Sequence, residues 1–303
     1  MTKKTLKKQK KDKSHFKQKH CSPKKNTLSF SCLSHDALLK IGQALNKLDG
    51  IEINYKSLSD KELHNKIANI METKFNCKSE ACWVNIRSLM THLSSKDVDY
   101  FRQHFRPLMP DEIVDDYTKW ISNYDIEKVL EQHEKEKPEV YFYGAVPIDF
   151  KKCSVSSDLC KIDIKKHMDN NEHKLAIVFN TDDSSGPGKH WNAMYVDLKG
   201  KNLNSQPGIY FFDSFAAKPL PQVKELIEKL KEQGSLLGLD FIVFVNDKKI
   251  QKNNFSCGFY SMHFLENMIN EVPFKKYVSS GLSDRKMIKY RNHCYLHPKE
   301  IKY

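Results

Sequence analysis

The sequence predicts an α+β protein in which a small helical unit precedes a central sheet with helices on its faces. Three observations predict it. Apolar residues recur at helical spacing through residues 27–108. After Pro110 the texture changes to short apolar runs alternating with amphipathic stretches, the order of a layered sheet-and-helix core. A content of 39% hydrophobic residues, with 17 Phe and 13 Tyr in 303 residues, is enough for about two ordinary domains.

The helical unit is read from caps and periodicity. Ser34 caps a helix carrying Ala37, Leu38, Ile41 and Leu45 that should end near Gly50. Ser59 and Glu62 form a capping box ahead of Leu63, Ile67 and Ile70. A third helix is expected from Trp83 to Leu93, and a fourth from Lys96 through Val98, Phe101 and Phe105 until Pro107 and Pro110 break the pattern.

Beyond Pro110, a helix-like Asp111–Lys119 leads into Trp120-Ile-Ser-Asn123-Tyr-Asp-Ile126, and another helix should continue to Glu136. Strands follow at Val140–Tyr143, Ala176–Asn180, Asn192–Asp197 and Ile209–Asp213. Pro221–Gln233 reads as an amphipathic helix closed by Gly234, Phe241–Val245 as a strand, and Cys257 as the start of a buried helix. The expected boundaries are therefore a tail over 1–26, a helical arm over 27–108 and a core over 109–303.

The net charge of +12 is concentrated in the tail. Residues 1–26 hold eleven lysines and one acid, Asp12, whereas residues 27–303 carry only +2. A lysine-rich run with few apolar residues buries too little surface to offset its ordering entropy, so disorder is expected there. Such a tail serves either as an electrostatic tether to nucleic acid, acidic protein or anionic membrane, or as a solubilising or targeting segment. It lacks an apolar stretch of the secretory kind, and runs such as Leu175–Phe179 are far too short to span a bilayer. The eight cysteines are accordingly expected to be free thiols in a reducing compartment. Cys77 with Cys82 and Cys153 with Cys160 lack the tight, paired spacing of a zinc site, so no metal is called. His92, His104 and His133 lie in polar helical stretches and are expected to be solvated.

The chemistry centres on Gln251-Lys-Asn-Asn-Phe-Ser-Cys257-Gly258. Here a cysteine opens the apolar periodicity of Tyr260, Phe264, Leu265 and Met268 instead of lying inside it. A helix mouth presents unpaired N–H groups and favours negative charge, which suits a sulfur nucleophile. Such a nucleophile needs a base, and the base needs an orienting group. His190 stands after the Gly186-Pro-Gly188 turn at the mouth of one strand, and Asp213, twenty-three residues on, ends the next. Antiparallel pairing of these strands brings both side chains to one sheet edge. Asp197 is a fallback orienter but belongs at the far end of its strand. Gln251 supplies a side-chain N–H that can join the Cys257 N–H against an oxyanion, and Gly258 lets a substrate backbone approach closely. Singly, each has an ordinary reading as packing, turn or solvated surface; the order His, Asp, Gln, Cys-Gly is what points to catalysis.

His190-Trp191, Phe212-Asp213-Ser214, Gln251 and Ser256-Cys257-Gly258-Phe-Tyr260 resemble the motifs of the SUMO-protease-like and adenovirus-protease-like cysteine peptidases. Trp120-Ile-Ser-Asn123-Tyr-Asp-Ile126 resembles a segment of the SUMO-protease branch in which the Trp lines a tunnel for a diglycine. The phrase Ser185-Gly-Pro-Gly-Lys-His-Trp191 is similar to the polyprotein-processing proteases of large cytoplasmic DNA viruses of the African swine fever virus type, in which a helical arm precedes the core. The resemblance covers about residues 110–295 and departs from the pattern at Asn123, where many relatives have Asp, and in a longer Leu198–Pro207 loop. It implies a mixed sheet flanked by helices, catalysis by His190, Asp213, Gln251 and Cys257, substrate contacts from Trp120, Asn123, Trp191 and Gly258, and no cofactor. It further implies cleavage after Gly-Gly or Ala-Gly pairs in viral polyproteins during virion maturation, in the host cytoplasm and the virion. Two other readings stand beside it: an isopeptidase removing ubiquitin-like modifiers, and a basic virion structural protein on an inactive peptidase fold.

Overall fold

The computed structural model describes residues 21–23 and 28–301. Its backbone forms two compact units, one running to Arg106 and resuming at Pro298, the other spanning Pro107–His297. Residues 1–20 and 24–26 of the expected tail lie outside the described residues. The rest of that segment is tied down: Cys21 is bonded to Cys32, and the Ser22 N–H donates to the His104 carbonyl at 2.9 Å.

In the helical unit, α1 (His35–Leu45) has the expected Ser34 cap, whose hydroxyl accepts from the Ala37 N–H at 3.2 Å. It ends one turn early because the Asn46 side chain binds both backbone groups of Ile53, drawing the chain off the helical path. The capping box of Ser59 and Glu62 opens α2 (Asp60–Phe75) as expected. The third helix is instead two single turns, α3 (Glu80–Trp83) and α4 (Arg87–Met90). The Asn85 amide takes the Ala81 carbonyl at 2.7 Å and Ile86 turns extended, so the helical ladder cannot continue. A fourth helix, α5 (Ser95–Arg102), completes the arm.

The thiol expectation is corrected. Three disulfides join Cys21 to Cys32, Cys77 to Cys82 and Cys153 to Cys160, each with its Cα atoms 5.0–5.8 Å apart, the ordinary bridging range. Cys257 and Cys294 stand outside any disulfide. Two histidines are corrected as well: His104, in the turn just after α5, is buried with its Nδ1 2.8 Å from the Tyr100 carbonyl, and His133 is buried on the inward face of its helix.

In the second unit, α6 (Asp111–Asp115) and α7 (Asn123–Glu136) precede β1 (Val140–Pro147). A short 3₁₀ turn and α8 (Ile164–Asp169) lead to β2 (Lys174–Asn180), followed by β3 (Trp191–Asp197) and β4 (Gly208–Phe212). Next come α9 (Pro221–Leu236), β5 (Ile242–Val245) and α10 (Cys257–Ile269), and then two helices with no counterpart in the sequence reading, α11 (Phe274–Val278) and α12 (Asp284–Cys294). Gly234 does not close α9: the left-handed position falls at Gly238, with φ +74°, while Gly234 lies against Phe241.

The sheet is mixed, in the order β1-β2-β3-β4-β5. The central β2-β3-β4 meander is antiparallel, and each outer strand runs parallel to its neighbour. β2, β3 and β4 are buried along nearly their whole length, as strands covered on both faces must be. Ala176, Val178, Tyr195 and Phe212 pack with α7, α10 and α12 on one face; Leu175, Ile177, Met194 and Phe211 pack with α8 and α9 on the other. At roughly 1.5–3 kcal/mol for each fully buried large apolar side chain, this two-sided burial holds the sheet as a rigid platform.

Candidate active site

The β3–β4 ladder pairs Ala193 with Phe212. His190 lies just before β3 and Asp213 just after β4, so both emerge at the same edge. Their side chains meet there: His190 Nε2 is 2.8 Å from Asp213 Oδ2, with the carboxylate fully buried and the imidazole 16% exposed. Asp213 Oδ1 accepts the Phe215 N–H at 2.8 Å, and Asn246 clasps the Asp213 backbone through both peptide groups at 2.8 Å. Asp197 sits at the opposite end of β3, accepting the Lys199 and Asn202 N–H groups, and does not reach His190.

Cys257 is close enough to the imidazole for its hydrogen bonding and charge to act on the ring. Since Nε2 is engaged by Asp213, Nδ1 is the nitrogen left for sulfur. Burial pulls the His190 pKa down, but the hydrogen bonds to Asp213 and Cys257, with their charges, overcome it and push the value up to about 9. The ring therefore carries its proton at neutral pH.

Cys257 is the first residue of α10 and is buried. Gln251 precedes it on an irregular loop and is also buried. Its Oε1 accepts the Ser214 hydroxyl at 2.6 Å, which fixes which end of the amide is which, and its Nε2 donates to the Asn253 carbonyl at 2.8 Å. An amide nitrogen has two hydrogens, and beyond this bond Nε2 makes only a long 3.4 Å contact with Asn253 Oδ1, which leaves one N–H weakly held. The loop is turned back on itself by Asn253, whose Oδ1 accepts the N–H groups of Phe255 and Ser256 at 3.1 and 3.0 Å.

A groove is lined by Trp120, Asn123, Pro147, Val155, Gly188 and Trp191, among others, with neither His190 nor Cys257 in its lining. Trp191 is buried and donates its indole N–H to the Ile121 carbonyl; Trp120 is 45% exposed and donates to the Asn254 carbonyl at 2.8 Å, linking the groove wall to the cysteine loop. In the turn before His190, Gly188 has φ +87° and lies so close to the Asn180 amide that a Cβ would stand 2.8 Å from it. At Gly258 the crowding comes from the protein itself: a Cβ would stand 2.7 Å from the Ile121 side chain and 3.3 Å from the Trp191 ring. Sequence reasoning assigned that glycine to substrate approach and missed this packing. It also missed Asn246 and the Ser214–Gln251 bond; the Asp213-Ser214 pairing was the one signal available for the second.

A buried carboxylate bound to an imidazole at one edge of a mixed sheet and a buried cysteine at a helix mouth are the residue types that cysteine peptidases use. Residues 149–302 match the model of the Ulp1 protease family, C-terminal catalytic domain, and the chain belongs to that family. It is 34% identical over 176 residues to a thiol protease of Acanthamoeba polyphaga mimivirus, a match covering 58% of this chain and 56% of that protein. Over 263 residues it is 23% identical to a cysteine protease of African swine fever virus, covering 80% of this chain and 92% of the other. The crystal structure of an African swine fever virus protease has the same fold, with a TM-score of 0.63 at 20% identity over 82% of this chain and 94% of that one.

Proposed function

We propose that this chain is a viral cysteine endopeptidase in which His190, Asp213, Gln251 and Cys257 act as one reacting unit. The observation that carries the reading is the His190–Asp213 contact of 2.8 Å around a fully buried carboxylate, with Cys257 acting on the same ring. Before substrate binds, the Cys257 proton has passed to His190, and the sulfur left beside the imidazolium attacks the substrate carbonyl. The resulting oxyanion is met by the Cys257 N–H and the remaining Gln251 N–H. Imidazolium, favoured by Asp213, then protonates the leaving amine, and water releases the acyl group by the reverse sequence.

The groove walled by Trp120 and Trp191 suits an extended substrate with small residues before the cut, such as Gly-Gly or Ala-Gly in a viral polyprotein. The place of action would be the assembly site in the host cytoplasm and the virion, with the lysine-rich tail as a tether to nucleic acid. Cleavage of a diglycine-containing polyprotein fragment by the purified chain tests the reading, and Cys257→Ser and His190→Ala should each abolish it. Retained cleavage in both variants refutes the mechanism. An isopeptidase is the second reading, since some African swine fever virus relatives carry the name SUMO-1 cysteine protease. Turnover of modifier–fluorophore conjugates with the polyprotein fragment left intact would decide for it.

A further inference from the structure

The loop between Gln251 and Cys257 has no regular secondary structure, and its geometry sets the distance between two of the proposed oxyanion donors. Asn253 folds it from within. From outside it is held by α12, a helix with no part in the chemistry described above.

The first residue of α12, Asp284, accepts the N–H groups of Lys252 at 3.1 Å and Asn253 at 2.9 Å on Oδ2. Its Oδ1 accepts the Tyr260 hydroxyl at 2.9 Å, so the same carboxylate grips the loop and the first turn of α10. Hydrogen bonds to a carboxylate are about twice as strong as neutral ones. Burial, together with that carboxylate, raises the Tyr260 pKa, which keeps the hydroxyl a donor.

Two turns further along α12, Arg291 is fully buried. Its guanidinium carbon lies 5.3 Å from the Phe255 ring and 4.5 Å from the Phe259 ring, the two aromatics that bracket Ser256–Gly258. Nη1 donates to the Tyr117 carbonyl, three residues before Trp120. Nε and Nη2 have no hydrogen-bond partner and the side chain makes no salt bridge among the described residues. A buried cation without an ion pair is costly, so aromatic faces rather than a counter-charge hold it. That cost sits against the two aromatics on either side of Cys257, and a broken local rule of this kind is expected at functional sites.

We propose that α12 is a clamp that presets the oxyanion geometry, with Asp284 and Arg291 as positioning residues. Asp284 fixes the Asn253 peptide, the Asn253 carbonyl fixes Gln251 Nε2 at 2.8 Å, and Arg291 fixes the aromatic pair around Cys257. The inference rests on reading Gln251 and the Cys257 N–H as the oxyanion donors.

The test compares acyl transfer, which needs that geometry, with alkylation of Cys257 by iodoacetamide, which forms a carbon–sulfur bond, expels iodide and builds no oxyanion. Asp284→Ala should lower kcat on a diglycine-containing peptide by about 10-fold to 100-fold, somewhat less than loss of an oxyanion donor itself. KM and the alkylation rate should stay within about threefold of wild type, the pattern of an interaction made only in the transition state. Asp284→Asn, which keeps an acceptor for the Asn253 N–H, should recover part of kcat, and Arg291→Lys should lose kcat in the same selective way. An unchanged kcat in Asp284→Ala overturns the clamp, as does a joint loss of kcat, KM and alkylation that Asp284→Asn fails to rescue. Gln251→Ala serves as the control: an unchanged kcat there removes the oxyanion reading itself, whatever Asp284 does.

Discussion

Asp213→Asn tests the proposed unit most sharply, because the structure dictates how the replaced amide must sit. The Phe215 N–H, 2.8 Å from Oδ1, requires an acceptor at that position, so the asparagine oxygen stays there and its NH₂ faces His190 Nε2. Two donors cannot share a hydrogen bond, so Nε2 must give up its proton and Nδ1 must carry one. The nitrogen facing Cys257 then cannot accept the thiol proton. By analogy with the same exchange in other triads, kcat/KM should fall by about 10³–10⁴. The pH dependence gives a second number. In the wild type the His190 pKa is raised from 6.5 to about 9, a difference worth about 3 kcal/mol in favour of imidazolium. Because the folded value lies above the unfolded one, this stabilisation is complete below pH 6.5 and is lost as pH rises through about 9. The alkaline limit of kcat/KM should therefore fall near pH 9 in the wild type and move toward pH 6.5 in Asp213→Asn. Urea unfolding between pH 6 and 10 should show the same group losing roughly 3 kcal/mol in the wild type and little in the variant. A variant that keeps its alkaline limit near 9, or keeps its rate within about tenfold, would refute the roles given to Asp213 and His190.

Three further outcomes are expected. Gly258→Ala forces a Cβ to within 2.7 Å of Ile121, and overpacking of this kind costs roughly 1–3 kcal/mol; a lowered Tm with reduced activity checks it, and an unchanged Tm counts against the packing account. Alkylation of the denatured but unreduced protein should label only Cys257 and Cys294, with all eight cysteines labelled after reduction, as read by mass; more than two labels before reduction would contradict the three bridges. Deletion of residues 1–20 should weaken DNA retention and flatten its salt dependence while leaving peptide turnover intact, and equal retention would dismiss the tether.

The site was legible because its chemistry uses distinctive residue types at chain positions that strand pairing makes adjacent. His190 and Asp213 are twenty-three residues apart, and an antiparallel hairpin places them together almost by arithmetic. Cys257 was legible because it opens an apolar helix instead of lying within one. The capping box was legible for a local reason, since Ser59 and Glu62 complete it without any distant partner. Errors fell where a distant or competing partner decided the outcome. Asn46 and Asn85 ended or broke helices by capturing backbone groups, and His104, in a turn, and His133, on a helix, went inward against a core that no polar local sequence reveals.

The amino-acid order by itself determined the main helices and strands, the β3–β4 pairing and the meeting of His190 with Asp213 at its edge, because periodicity, caps and strand pairing are written in local pattern. Only the tertiary structure decided the cysteine pairing, the crowding at Gly258 and the support of the Gln251–Cys257 loop by Asp284 and Arg291. Those depend on contacts between segments far apart in the chain, and such contacts are set by packing against the whole core, which no local spacing encodes.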